Sequence, residues 1–503
     1  MGKEKIKNPE IRNKPMRKFF ITTAIDYVNA SPHIGHALEK VVADVISRYY
    51  RLQGREVLFL TGTDEYSLKN VQAAEKEKIT VKELVDRYAQ LFFSLKEALN
   101  LSFDDFIRTT EKRHFVGAQK LWLACQNDIY KKSYQGLYCV GCERFYKEKE
   151  LSHGHCPVHQ TIPELIEEEN YFFRLSKYQK QLRKIIEKGE LEIIPQNRKN
   201  EVLSFIDQGL EDICISRSAQ RARGWGIDVP DDPSQKIWVW FDALSNYINA
   251  LGYGEDSEKF YQWWENNENK LHIIGKDILR FHAIYWPAIL LSANLSLPKQ
   301  IFIHGFITVN NQKMSKSLGN VIDPFELVKK YGADAVRYFL TAEFPATEDG
   351  NFTYEKFEAR YNADLANGIG NLFERVFAMA NNADLRGLNA DLRGLDKEIL
   401  DFYEKTDASY LSKMDNYQLY EALVAVFSFA KKLDQYINQK EPWQLIKNKN
   451  PEAEKILKTL IFGVKNIISW LKPFMPQKME EAEEYLKNIN KQSGKLNLFP
   501  RLK

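Results

Sequence analysis

The hydrophobic period changes twice between Phe19 and Asp64, and that switch limits what the chain can build. Phe19 to Ile25 is a short apolar run with β-branched residues, closed by a polar turn through Asn29, Ser31 and Pro32. Leu38, Val41, Val42, Val45, Ile46 and Tyr49 then recur at steps of three and four, which is one helix face. Gly54 is a stop, and Val57 to Leu60 opens a strand that ends on Thr61-Gly62-Thr63-Asp64. Two strands joined through a helix run parallel, and a parallel sheet needs cover on both faces. The expected core is an α/β, doubly wound, Rossmann-type sheet.

The alternation stops between about 131 and 235 and resumes at Ile237 to Phe241 and Leu271 to Ile274. That pattern predicts a sheet domain in two halves, 1–130 and 236–300, split by an insertion at 131–235, with a connecting region at 301–355. From 356 to 503 the signal is helical. Tyr361, Leu365, Leu372, Val376 and Met379 share a face, Leu419 to Ile437 carries a second stripe and Ile456 to Leu471 a third, so an all-α bundle is expected. The tandem heptapeptide Asn382–Leu388 and Asn389–Leu395 reads as an inter-helix loop lengthened by duplication.

The net charge of +3 excludes a bulk polycation but not a local basic face. No apolar run approaches the ~18 residues that span a bilayer. Met1 to Lys18 is basic without an apolar core, so no signal peptide is expected. Five cysteines in 503 residues make no disulfide framework. A cytoplasmic, multidomain protein follows.

Chemistry concentrates in a few short stretches. Pro32-His33-Ile34-Gly35-His36 puts two imidazoles on one side of a first helical turn, where backbone N–H groups and the helix dipole favour a phosphate, and Gly35 lets a flat ring lie against the backbone. The same pair in isolation also reads as a turn histidine and a capping histidine. Lys313-Met314-Ser315-Lys316-Ser317 follows Ile301 to Val309 and an Asn310-Asn311 turn. Its lysines and hydroxyls suit charge developing on transferring phosphates, or simply a solvated loop. Cys139, Cys142, Cys156 and His159 form Cys-x2-Cys-x13-Cys-x2-His, two short chelating loops for tetrahedral Zn²⁺ at a closed structural site. His153 and His155 are competing candidates for the fourth ligand, and the matching two-residue spacing favours His159.

Taken together, in this order and on these elements, the histidine and lysine motifs resemble the HIGH and KMSKS signatures of class I aminoacyl-tRNA synthetases. In detail nearly the whole chain is most similar to the methionyl-tRNA synthetases of the bacterial, zinc-containing kind. The resemblance implies that His33, Gly35 and His36, with Lys316 and Ser317, bind ATP. His33, His36, Lys313 and Lys316 would stabilise adenylyl transfer, with Mg²⁺ accompanying ATP. It implies a methionine pocket of Ala24, Ile25, Tyr27, Trp240, Leu244, Tyr247, Phe281, His282 and Trp286, with Asp64 for the substrate ammonium and Asp277 as a further polar member. A soft thioether suits aromatic walls, although such a stripe alone is also ordinary core. The family usually continues Thr-Asp-Glu with His-Gly, where this chain has Tyr66-Ser67.

Synthetases for branched apolar amino acids carry a large editing domain in the insertion, because a pocket discriminates one methylene by only ~10–200-fold. The short insertion here fits methionine. Asn371 and Arg375, one turn apart, and Trp443 after Glu441-Pro442 match the family's anticodon-reading positions, although a capped helix with a buried Trp is the plainer reading of the latter. Arg217, Arg221 and Arg223 meet the acceptor arm or form a solvated face. The partners implied are tRNA(Met), initiator and elongator, with ATP and L-methionine and no membrane. The chain stops just past the bundle, at Lys503, so a monomer is expected.

Overall fold

The computed structural model describes residues 18–502 apart from 143, 159, 315–318, 346, 383–393 and 490–495. Its centre is a parallel sheet. β1 (Lys18–Thr23) leads through α1 (Ile34–Leu52) to β2 (Glu56–Asp64), and β3 (Asp105–Arg108) adds outside β2. The chain then leaves the sheet for a four-stranded antiparallel unit built on β4 (Ile129–Cys139) and β5 (Glu164–Phe173). Within the 131–235 stretch, β6 (Glu192–Ile194) returns to the far edge of the main sheet. Three residues are too few to show a period, so the sequence gives no sign of that joint.

β7 (Lys270–Gly275) pairs with β1 on the side away from β2, and β8 (Gln300–His304) lies between β7 and β6. Connections therefore leave β1 in both directions, as the doubly wound reading expects. Alternate side chains of β1 enter different cores: Phe20 packs with Trp264 and Leu60, while Phe19 and Ile21 pack with α1. β9 (Ile307–Val309) opens a small hairpin beyond β8, where Asn310 and Asn311 both take positive φ (51° and 61°) in the two-residue turn.

α2 (Ala333–Ala342) leads toward the C-terminal helices: α3 (Asn371–Asn382), α4 (Lys397–Asp415), α5 (Leu419–Lys440), α6 (Pro442–Lys447), α7 (Glu452–Leu471) and α8 (Pro476–Lys487). All three sequence stripes are buried there, continuous with the core on the α1 side of the sheet. The heptapeptide duplication falls almost wholly outside the described residues. No described helix is long and apolar enough to cross a membrane.

α1 is buried nearly all round, so its polar residues Glu39, Lys40 and Asp44 need partners inside the protein. Asp44 Oδ2 meets the Arg337 guanidinium of α2 at 2.7 Å, and both side chains are inaccessible to solvent. Arg337 also donates to the carbonyls of Leu99 (3.1 Å), Pro473 (2.8 Å) and Phe474 (3.0 Å). The second Asp44 oxygen accepts from Ser102 N–H at 2.5 Å. One ion pair thus joins the histidine-bearing helix, the β2–β3 connection and the bundle. Arg337→Leu leaves Asp44 with Arg48 (2.7 Å) as its remaining cation and takes the guanidinium donor from three carbonyls, a combined loss of about 3–5 kcal/mol. Chemical denaturation should show that loss, and a change below 1 kcal/mol would contradict the role given to the pair.

Candidate active site

The carboxyl ends of β1 and β7 border the crevice at which connections diverge, the ligand position in doubly wound sheets. His33 takes the N-cap of α1 with extended backbone. Its Nδ1 accepts the Gly35 N–H at 3.1 Å, and His36 Nδ1 accepts the His33 N–H at 3.0 Å. The capping alternative is therefore part of the site itself. A ring that accepts through Nδ1 keeps its neutral-form proton on Nε2. Burial pushes His33 down to about 4 and holds His36 well below its ordinary value, the positive neighbours acting in the same direction.

The result is two neutral N–H donors at a helix start, their rings stacked at 3.8 Å. A Cβ on Gly35 would stand 2.9 Å from His33 Cε1, so the cap closes only around glycine. Met314 of the second motif reaches 3.6 Å from the same point. Ile34 N–H donates to Ile322 O at 3.0 Å, so the segment after the lysine motif is tied to the first turn of α1. Lys313 ends the β9 hairpin and is exposed. Lys316 and Ser317 lie outside the described residues.

Beneath the histidines is a buried polar chain that pattern reading did not find. Lys40 Nζ lies 2.6 Å from Asp26 Oδ2 and 2.9 Å from Glu39 Oε1, and Glu39 Oε2 lies 3.0 Å from His304 Nε2 at the end of β8. The signal available was Glu39-Lys40 on the apolar face of a helix, where an isolated charge is costly.

The aromatic residues converge on the crevice. Trp240 and Phe281 stack at 3.7 Å with planes 3° apart, and Tyr27 meets Trp240 edge-on at 6.5 Å. Phe281–Tyr285 is a π-helical turn, and its wider winding lets Phe281, His282 and Trp286 serve one wall despite the five-residue step. The ring nitrogen His282 Nδ1 lies 3.0 Å from Ile278 O, which places its proton there and leaves Nε2 to accept the Tyr247 hydroxyl at 2.7 Å. Burial pushes His282 down to about 4, so this wall carries no charge.

Tyr247 also packs 4.1 Å from His272, whose Nδ1 is 2.7 Å from Thr22 Oγ1 on the adjoining strand. Thr22 and His272 were missed; a single His inside the apolar run of β7 was their signal. Ala24 and Leu244 are buried, and Ile25 packs against the same core. Asp64 ends β2 beside Tyr27, its register partner, while Asp277 lies in the exposed turn after β7. Tyr66 packs on Trp225 at 5.4 Å and Ser67 caps the next helix, so the departure from His-Gly builds an ordered turn.

The sulfurs of Cys139, Cys142 and Cys156 lie within 4.8 Å of one another, Cys142 and Cys156 at 3.4 Å. Two thiolates on a tetrahedral Zn²⁺ at 2.3 Å would be about 3.8 Å apart, so the triad fits that ion. Burial pushes the Cys142 thiol up to about 12, so a bound cation is what would make it a thiolate near neutrality. His159 is outside the described residues, and neither His153 nor His155 joins the cluster.

On the bundle, α3 packs against α6. Arg375 pairs with Asp434 at 2.5 Å and with Asn438 at 2.8 Å. Trp443 is 43% exposed, which removes the buried-Trp reading. Arg217 is buried over Tyr138, Arg221 is half-buried beside the same ring, and only the exposed Arg223, paired with Glu75, matches a solvated face.

A family model described as tRNA synthetases class I (M) matches residues 19–162 and 146–377, and an anticodon-binding domain of tRNA ligase matches 396–501. The chain is 44% identical over 477 residues to a methionine–tRNA ligase of Brucella suis, covering 93% of this chain and 92% of the relative. It is 43% identical to that of Thermotoga maritima, covering 92% and 74%. The Mycobacterium tuberculosis methionyl-tRNA synthetase in complex with methionyl-adenylate superposes with a TM-score of 0.88 at 36% identity, covering 97% of this chain and all of that one.

The capped imidazoles make a pH prediction. An unfolded chain protonates histidine near 6.5, whereas folded His33 resists until about 4. His33 therefore costs stability as pH falls from about 6.5 toward 4 and none above that range, and His36, held well below its ordinary value, acts with the same sign. Imidazole nitrogen shifts at pH 6 should show neutral Nε2–H tautomers for both. A cationic ring at that pH would contradict the geometry.

Proposed function

The chain belongs to the methionine–tRNA ligases of class I, and from that premise we propose how its residues divide the work. It activates L-methionine with ATP to methionyl adenylate, releases pyrophosphate and transfers methionine to the 3′ end of tRNA. The observation that carries this reading is a pair of neutral imidazole donors at the start of α1, tied through Met314 and Ile322 to the lysine motif.

We infer that a methionine carboxylate oxygen attacks the α-phosphorus of ATP and the bond to pyrophosphate breaks. The Nε2–H groups of His33 and His36 donate to phosphate oxygens, whose charge rises in the transition state. Lys313 and Lys316, with Ser317, hold the leaving pyrophosphate, and Mg²⁺ arrives with ATP. Asp64 receives the substrate ammonium, with Asp277 at the mouth. The side chain lies among Tyr27, Trp240, Tyr247, Phe281 and Trp286, where the neutral Tyr247–His282 pair leaves no charge to be buried against a thioether. A ribose hydroxyl of the tRNA end then attacks the carbonyl carbon, and AMP leaves.

One structural Zn²⁺ would be held by Cys139, Cys142, Cys156 and His159, fixing the shape of the insertion. Asn371, Arg375 and Trp443 read the anticodon of initiator and elongator tRNA(Met); the exposed indole on a helix packed against α3 supports that reading. The working unit proposed is a cytoplasmic monomer.

Removing His36 or Lys316 (His36→Asn, Lys316→Ala) should slow adenylation by about 10²–10³-fold. Methionine affinity should stay within threefold, a bound that follows from confining the loss to the transition state. Unimpaired turnover would sink their assignment. Trp443→Ala should keep adenylation and lose tRNA charging, and equal charging would refute the anticodon role. His159→Ala should reduce zinc content and thermal stability, whereas His153→Ala and His155→Ala should not; zinc retained by the His159 variant would reassign the fourth ligand.

A further inference from the structure

Lys40 sits one turn beyond His36 on α1 and directs its ammonium at three acceptors: Asp26 Oδ2 (2.6 Å), Glu39 Oε1 (2.9 Å) and the Ala24 carbonyl (3.2 Å). The Ala24 and Glu39 contacts are hydrogen bonds and the Asp26 contact is a close ion pair, and together the three fix the ammonium's position. Asp26 lies on the short strand that also carries Tyr27, beside the end of β2. Its other oxygen, Oδ1, stands 3.9 Å from His36 Nε2, the nitrogen left with the proton once Nδ1 is capped by the His33 N–H.

A carboxylate is an odd neighbour for a phosphate donor. Unneutralised, it would repel the nucleotide that His36 is to bind. Lys40 removes that objection, and Glu39 and His304 complete the balance with one more acid and one more base. Stability alone is a weak reason for such a pair, because two well-packed apolar residues would serve as well. What apolar residues would not supply is a fixed negative charge 3.9 Å from Nε2, beyond hydrogen-bond distance but close enough to attract its proton electrostatically.

We propose that the Asp26–Lys40 pair positions His36. Lys40 fixes the carboxylate, and the carboxylate attracts the Nε2–H, keeping the ring turned toward the crevice until a phosphate oxygen replaces it. This rests on His36 being the phosphate donor of adenylation. Asp26 and Lys40 are positioning residues that act through the imidazole.

The test is methionine-dependent ATP–pyrophosphate exchange, with melting temperature, on Asp26→Asn, Lys40→Met, the double variant, His36→Asn and Asp26→Asn/His36→Asn. Misplacing a reacting group typically costs about ten- to a hundredfold, so Asp26→Asn should lower kcat by that much with KM for methionine little changed. In the His36→Asn background the same change should have almost no effect. The Asp26→Asn/Lys40→Met double should regain melting temperature, having no lone buried charge at that position, and remain slow. A double variant that regains both stability and rate would overturn the proposal, as would an equal slowing by Asp26→Asn with and without His36. A wild-type chain without exchange would instead sink the reading on which the proposal rests. An Asp26→Asn enzyme at full speed, beside an active wild type, sinks this inference alone.

Discussion

The Asp44–Arg337 pair is the joint on which the rest of the structure hangs. It is fully buried, it links α1 to the connection between α7 and α8 of the bundle, and its guanidinium satisfies three carbonyls besides the carboxylate. A pair of this kind adds little net stability over an apolar contact, but a shift would take the Arg337 guanidinium away from the carboxylate and from three carbonyls at once. Burial alone would raise the Asp44 carboxyl, but Arg337 and Arg48 outweigh it and keep the group below the usual carboxylate range. The helix that presents the imidazoles and the C-terminal bundle are therefore held to one another through a single guanidinium.

At the other end of α1 the same economy recurs. The helix start needs acceptors for its first N–H groups, and two histidines supply them through Nδ1. Satisfying the backbone decides the tautomer, and the tautomer decides that the outward nitrogen is a donor. Local capping thus already supplies the two outward donors that the proposed phosphate contact needs.

Much of this was legible in the chain. The period switch across β1, α1 and β2 specified a parallel sheet, and each helical stripe after 356 is buried as its spacing required. The Trp240–Phe281 stack joins two residues that the family resemblance, and no local period, assigned to one pocket. What escaped was set by geometry that no local pattern encodes. β6 is too short to show alternation, the π-turn at Phe281 changes which residues share a face, and Thr22 meets His272 only because β1 and β7 are in register. The Asp26–Lys40–Glu39–His304 chain joins three elements distant in sequence, and its members taken singly look like ordinary polar residues.

The central claim is that this crevice, with neutral donors on one side and an uncharged aromatic wall on the other, selects a soft unbranched side chain for adenylation. Amino-acid-dependent ATP–pyrophosphate exchange with all twenty amino acids and no tRNA tests it most directly. The account predicts exchange with methionine alone. Comparable exchange with leucine, isoleucine or any other amino acid would keep the nucleotide chemistry and contradict the pocket.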